Sequence, residues 1–323
     1  MSTKQEAAVK KRDYKAVINS LSMVIVLVVI CIVLGIAAPG SFFTAKNISN
    51  IFLQTSIYAL LTIGATFVII TGGIDLSSAS VAAMTGVFAA TVMMSTGSIA
   101  AGIVVGILVG AGFGFGTGLL ITCFKLAPFI VTLGMQMICR GIALQFTDGG
   151  NVYGFPDAFV FLGGGTVAGI PFPVIIWIIV LLIAFFILRY TKLGRYTYAI
   201  GGNEETVRLS GINTNLYINA VYIIGGVCSA IAGIVLAARL NSAQPMSADG
   251  YELDAIAAAV IGGCSLSGGT GNVFGTAVGA LIIAVIRNGM NLLNVSSYLQ
   301  KIVIGAIIII AVLADSMKHK KKN

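Results

Sequence analysis

Ten apolar stretches, most of them roughly 17 to 25 residues long, follow one another along the chain, at about 17–38, 48–70, 76–94, 98–121, 128–146, 171–189, 216–238, 252–266, 272–287 and 298–315. That length crosses a hydrocarbon layer of about 30 Å at a rise of about 1.5 Å per residue. Only helices or closed barrels satisfy their backbone groups there, and a barrel would read as short strands of alternating polarity, which this sequence lacks. The pattern predicts an all-α, polytopic membrane protein with about ten transmembrane helices. Composition agrees, since 58% of the 323 residues are hydrophobic and 9% are charged, more apolar surface than a soluble core can hide. Residues 1–16 read as an N-terminal tail, 17–315 as one membrane domain and 316–323 as a basic C-terminal tail. Lys10, Lys11, Arg12 and Lys15 precede the first stretch and Ala37-Ala38 could mimic a cleavage site, but the apolar run exceeds that of a signal peptide, so an uncleaved anchor is expected.

Basic residues are retained on the cytoplasmic side. With both termini cytoplasmic, 14 of the 19 Lys and Arg face the cell interior, Lys46, Arg239, Arg287 and Lys301 lie outside, and Arg140 falls within a span. The mixed-charge stretch "GGNEETVRLSGIN", 201–213, then lies in a cytoplasmic loop of about 190–215, and the loop of about 147–170, without Lys or Arg, is external. Topology and anionic lipid account for the net charge of +8, with no nucleic-acid partner required.

The residue inventory argues against an enzyme. The single histidine, His319, sits in the Lys-rich tail, so no histidine triad or histidine metal cluster can form. Cys31, Cys123, Cys139, Cys228 and Cys264 show no CxxC spacing and read as small buried hydrophobes, with no disulfide expected. There is no P-loop, and "GGGTVA" at 163–168 is only loosely like a dinucleotide fingerprint. No cofactor or metal bound by this chain is expected.

Glycine is abundant, at 40 residues. Gly102, Gly106, Gly110, Gly114 and Gly118 recur at every fourth position of the fourth stretch and make a smooth stripe, suited to close helix packing or to helices that slide. "TGGIDLSSASVAAMTG", from Thr71, and "DGYELDAIAAAVIGG", from Asp249, align on Gly73 and Gly250, and the two enter the membrane from opposite sides. This predicts an inverted repeat of spans two to five with spans seven to ten. Asp75 lies at the inner end of span three, with Glu252 and Asp254 at the outer end of span eight. Two readings stand: helix caps, or, together with Thr71, carboxylates lining a polar route. Asn288, Asn291 and Asn294, near the outer end of span nine, read as a solvated helix end or as a docking surface for an external partner.

Longer motifs carry a resemblance. "LGRYTYAIGGNEETVRLSGIN", "TGGIDLS", "ARLNSAQPMSADGYELDAIAAAVIGGCSLSGGTGNVFG" and "NGMNLLNVSSYLQKIVIGAIIIIAVLAD" resemble the monosaccharide permeases of bacterial ATP-binding cassette importers, and most of all the ribose permeases among them. The resemblance covers nearly the whole chain beyond the N-terminal tail. It implies a multi-pass permease of the bacterial cytoplasmic (inner) membrane with no ATPase site of its own. It also implies a second permease copy, an extracytoplasmic sugar-binding protein, and cytoplasmic ATP-binding cassette subunits that use ATP and Mg. In such permeases the loop between spans six and seven docks on the ATPase, and the matching positions here are Gly202, Asn203, Glu204, Glu205, Arg208, Ser210 and Gly211. The side chains suit a short helix there: Asn203 as cap, Glu204 and Glu205 in the first turn, Arg208 at i+4 from Glu204, and Gly211 as stop. Permeases for nucleosides or branched-chain amino acids, an ion-coupled carrier and a gated channel are the rival readings.

Overall fold

A computed structural model describes residues 23–320, and helices make up most of them. In chain order they are α1 (Met23–Ala37), α2 (Ala45–Ile70), α3 (Ser78–Thr96), α4 (Ile99–Phe124), α5 (Pro128–Phe146), α6 (Asp157–Gly164), α7 (Phe172–Tyr190), α8 (Lys192–Leu209), α9 (Thr214–Leu240), α10 (Tyr251–Ile261), α11 (Val273–Leu292) and α12 (Ser297–Lys320). The predicted tail at 1–16, the start of the first stretch and the last three residues lie outside the described residues.

Each of the ten predicted stretches contains a helix. Among the described residues, eight of these are long and apolar enough to cross a membrane: α2, α3, α4, α5, α7, α9, α11 and α12. The eighth stretch departs from expectation. Its helix, α10, stops at Ile261 after 11 residues, about 16 Å of rise, and a glycine-rich turn over 262–272 continues from it. Gly262 and Gly263 account for the stop, because Gly263 takes a φ of +93° that side chains resist. The other two helices, α6 and α8, lie in the loops on either side of α7.

Those loops gather at opposite ends of the bundle. At one end β1 (Val152–Tyr153) pairs antiparallel with β4 (Ser242–Ala243), and Arg140 Nη1 donates to the carbonyls of Pro245 and Ser247 at 2.6 and 2.9 Å. The hairpin of β2 (Thr166–Val167) and β3 (Ile170–Pro171) leads into α7 nearby. At the other end lie α8, the segment 71–77, the turn 262–272 and the α4–α5 junction, where Lys125 Nζ donates to Asn215 Oδ1 at 3.0 Å.

Helix α9 packs on α2, α3 and α4, and α2 is buried along most of its length, whereas α5 and α12 keep large apolar side chains such as Ile130, Met137, Ile302 and Ile310 exposed, as lipid-facing helices do. Exchanging α2–α5 for α9–α12 carries the α3–α4 contact onto α10–α11, α3–α9 onto α10–α2, α4–α9 onto α11–α2, and α3–α5 onto α10–α12. The two groups of four helices thus occupy equivalent places, as a repeat of spans two to five with seven to ten requires.

Closest packing falls on the glycine stripe of α4. Gly102, Gly106, Gly110, Gly114 and Gly118 are all buried, while Val104, Leu108 and Phe115 on other faces are exposed. A Cβ at Gly102 would run into Met93 of α3, one at Gly110 would lie 2.5 Å from the Gly226 carbonyl oxygen of α9, and one at Gly114 would overlap the Tyr222 carbonyl. Gly112, by contrast, has open space where a Cβ would go. Overpacking of this kind costs about 1–3 kcal/mol. Gly114→Ala is therefore expected to lower the thermal midpoint of the purified protein in detergent, and Gly112→Ala to leave it unchanged or slightly raised through helix propensity. Equal midpoints for the two variants would contradict this packing.

Candidate functional site

The charged loop folds into α8, which Thr191 opens by accepting from Gly194 N at 3.3 Å. Helical geometry breaks at Asn203, whose backbone is extended at φ −166°, ψ 100°. Its side chain then caps a second helical piece beginning at Glu204, with Oδ1 accepting from Thr206 N at 2.9 Å. The end is equally defined. Gly211, at φ +81°, donates to Arg208 O at 3.0 Å and Ile212 N donates to Val207 O at 3.4 Å, the paired bonds of a Schellman stop. One expected pairing is corrected: Arg208 pairs with Glu205 at i+3, at 2.5 Å, and not with Glu204. Glu204 instead accepts from Thr214 Oγ1 at 2.9 Å, which ties the piece to the start of α9. Glu205 and Arg208 remain exposed, and the bond to Glu205 holds the guanidinium pKa above its usual value.

Behind this piece, α8 meets the membrane helices with backbone against backbone as well as through side chains. Gly269 N donates to Ile70 O, the last carbonyl of α2, at 2.9 Å. Gly201 lies against the same two groups, and a Cβ there would overlap both the Ile70 carbonyl and Gly269 N. A Cβ at Gly268 would lie 2.7 Å from Gly201 O and 3.0 Å from Gly72 N. Tyr198 Oη donates to Gly271 O at 2.9 Å, with burial pushing its phenol pKa up to about 12. Within the same turn, Asp315 Oδ2 of α12 accepts from Leu266 N and Ser265 Oγ at 3.2 and 3.1 Å. One junction thus joins α8 to α2, α12 and the connection between α10 and α11.

Beside the junction a cavity of about 480 Å³ is lined by Thr71, Gly72, Lys125, Glu204, Arg208 and Tyr222 among others. Asp75 lies deeper. It does not cap α3 in the usual way, because Oδ1 accepts from Ser77 N and Ser77 Oγ at 2.8 and 2.6 Å, closing a local turn two residues before the helix. Thr71 Oγ1 donates to Val68 O at 2.7 Å and finishes α2. The buried Tyr222 hydroxyl has no hydrogen-bond partner among the described residues.

Glu252 and Asp254 lie at the far end, away from Asp75, in the first turn of α10. Gln136 Nε2 donates to Glu252 Oε1 at 3.2 Å, and Arg287 Nη2 sits 2.9 and 2.7 Å from the two oxygens of the fully buried Asp254. The three asparagines separate. Asn288 is buried and exchanges two hydrogen bonds with Asn47 of α2, at 3.0 and 2.8 Å, so it is not on the surface that a docking partner would meet. Asn291 and Asn294 are exposed, the former accepting from Gln300 Nε2 at 2.8 Å and the latter taking a φ of +54° in the turn to α12.

Several participants escaped the sequence reading. Gly201 opens the charged stretch but was not among the coupling positions, which begin at Gly202, and Asp315 and Asn47 pair with groups distant in sequence. A lone acid near the end of the last span and a polar amide at the start of the second were the available signals.

Residues 47–312 match the family described as the branched-chain amino acid transport system permease component. The chain belongs to this permease family. The ribose import permease protein of Escherichia coli (strain K12) is 43% identical over 321 residues, 98% of this chain and 100% of that protein. That of Haemophilus influenzae is 44% identical over 302 residues, 92% and 93% of the two chains. The D-allose transport system permease protein of E. coli (strain K12) is 40% identical over 319 residues, 98% of each. No solved structure matches the chain. The permease is accordingly a multi-pass protein of the cytoplasmic membrane.

A cap of this type contributes about 1 kcal/mol, close to a fivefold change in a local opening equilibrium. Asn203→Ala should raise the rate of tryptic cleavage after Arg208 by about that factor, and Asn203→Asp should preserve resistance. Unchanged cleavage of the alanine variant would remove the cap from this account.

Proposed function

We propose that this permease is the membrane subunit of an ATP-binding cassette importer that carries a monosaccharide, ribose or a similar sugar, across the cytoplasmic membrane. The observation that carries the reading is identity of 40% or more over nearly the whole chain to permeases named for ribose and D-allose. An L-arabinose permease of Azospirillum brasilense, 34% identical over 306 residues, supports the same substrate class.

In this reading the permease has no ATPase site. Cytoplasmic ATP-binding cassette subunits bind ATP and Mg and grip α8 at Gly202, Asn203, Glu204, Glu205, Arg208, Ser210 and Gly211. The exposed Glu205–Arg208 pair gives such a subunit a charged contact, and the caps at Asn203 and Gly211 keep the short piece rigid enough to transmit force. A second permease copy completes the sugar route, and an extracytoplasmic binding protein delivers the sugar to the face holding Asn291 and Asn294. Thr71 and Asp75 lie toward the inner mouth and Glu252 and Asp254 toward the outer one.

The charge arrangement weighs against an ion-coupled carrier. Such a carrier needs acids free to take up and release a proton or ion, whereas Asp254 is neutralised by Arg287 and Asp75 is engaged by Ser77, which leaves as a candidate only Glu252, held by Gln136 through one oxygen while the other has no hydrogen-bond partner among the described residues. Vesicles containing the permease, with and without its ATPase and binding protein and with ATP supplied inside or withheld, separate these readings. The expected result is labelled-ribose uptake that requires both partners and ATP and survives an ionophore. Uptake by the permease alone that an ionophore abolishes would contradict the proposal.

A further inference from the structure

At the end of the molecule away from α8, a cavity of about 400 Å³ opens between α2, the end of α9, the start of α10 and α11. Arg239, in the last turn of α9, is partly buried and makes no hydrogen bond or ion pair within the described residues. Gln54, inside the spanning helix α2, is also partly buried and equally without a hydrogen-bond partner there. Arg287 gives Nη2 to Asp254 but leaves a buried Nε unpartnered. Beside them stand two rings, Tyr58 and Tyr251, with centroids 4.7 Å apart and the Arg287 guanidinium 5.9 and 6.0 Å from them. Asn291 and Gln300, bonded to each other, complete the polar wall.

Polar groups withdrawn from bulk water and left unpaired are costly, and those that persist mark places where another molecule supplies the missing partners. The unmet capacity that a ligand in the cavity can reach consists of the guanidinium N–H groups of Arg239 and the amide of Gln54, the Arg287 Nε–H being enclosed by protein. Donors exceed acceptors, so the fitting ligand is rich in oxygen. The rings add flat apolar surface, and the volume lies within the range of about 300–1,000 Å³ typical of small-molecule sites. A simple anion would pair with Arg239 and leave the rings and Gln54 unused. A neutral polyhydroxylated ring uses all of them: hydroxyl oxygens accept from Arg239, another hydroxyl meets both halves of the Gln54 amide, and a C–H face covers a tyrosine.

We propose that this cavity is a monosaccharide-binding site within a single permease subunit, formed by Arg239 and Gln54 with the rings of Tyr58 and Tyr251. It rests on the sugar-importer reading and adds to it a resting place that belongs to one copy, separate from any route between two. Arg239 and Gln54 bind the sugar directly, so their loss weakens binding without touching α8.

The test uses the assembled transporter, permease with its ATPase subunits, in lipid nanodiscs and without binding protein. Saturation-transfer NMR with D-ribose, D-allose, D-xylose and L-arabinose at millimolar concentration reads binding. At least one sugar should give a signal in the wild type. Arg239→Gln and Gln54→Ala should each weaken it about tenfold, the loss of one hydrogen bond to a charged or buried partner. Equimolar inorganic phosphate should not displace it. Both variants are compared only after coelution with the ATPase subunits, and either one alone decides the matter if the other fails to assemble. Wild-type affinity in the variants, displacement by phosphate, or no sugar signal from a transporter that still performs ATP-dependent sugar uptake would each overturn the site. In the last case the sugar-importer reading stands, whereas absence of uptake for every sugar in the vesicle assay removes that reading itself.

Discussion

The carbonyl of Ile70 ends α2 at a fully buried position, and Gly269 N supplies its hydrogen bond from the far side of the sequence. The same requirement recurs wherever the chain stops being helical. Segment 71–77 is held by Asp75 bonding Ser77 and by Thr132 of α5 donating to Ile74 O at 3.2 Å, and the turn 262–272 is held by Asp315 at Leu266 N and Ser265. In these two segments irregular backbone is confined by protein groups in place of water, and both lie beside α8.

In the proposed importer, that confinement is what gives α8 mechanical reach. A helix resting on a membrane domain through side chains alone could roll on it. Here Gly201 brings backbone against backbone, so displacement of α8 bears on the end of α2 and on the link between α10 and α11. Helix α2 packs in turn on α7, α9, α10 and α11, and the glycine faces of α4 and α9 bring those two backbones close together. The far end is tied by the Asp254–Arg287 pair, the Asn47–Asn288 amide exchange and the bonds from Arg140.

Much of this was legible from sequence because its causes are local. Ten apolar stretches follow from hydropathy, the stripe from a fourfold glycine period, and the capped piece at 204–209 from Asn203 and Gly211, whose preferences act within a few residues. What was not legible depends on partners chosen by the fold. Arg208 had acids at both i+3 and i+4, and only packing decides that Glu204 turns to Thr214. Asn288 reads as a surface residue until Asn47, 241 positions away, is placed beside it. Gly201 looked like one more residue of a glycine-rich loop, and its importance comes from Ile70 and Gly269, which no local pattern connects to it.

The claim that α8 acts through this junction is tested most directly by replacing Gly201 with alanine in the assembled transporter and measuring sugar uptake and ATP hydrolysis together. Gly112→Ala, at a position of α4 with open space and outside the coupling segment, is the control. The account predicts that Gly201→Ala keeps the ATPase subunits bound and hydrolysing while the ratio of uptake to hydrolysis falls severalfold, and that Gly112→Ala behaves as the wild type. A Gly201→Ala transporter with the wild-type ratio would contradict it.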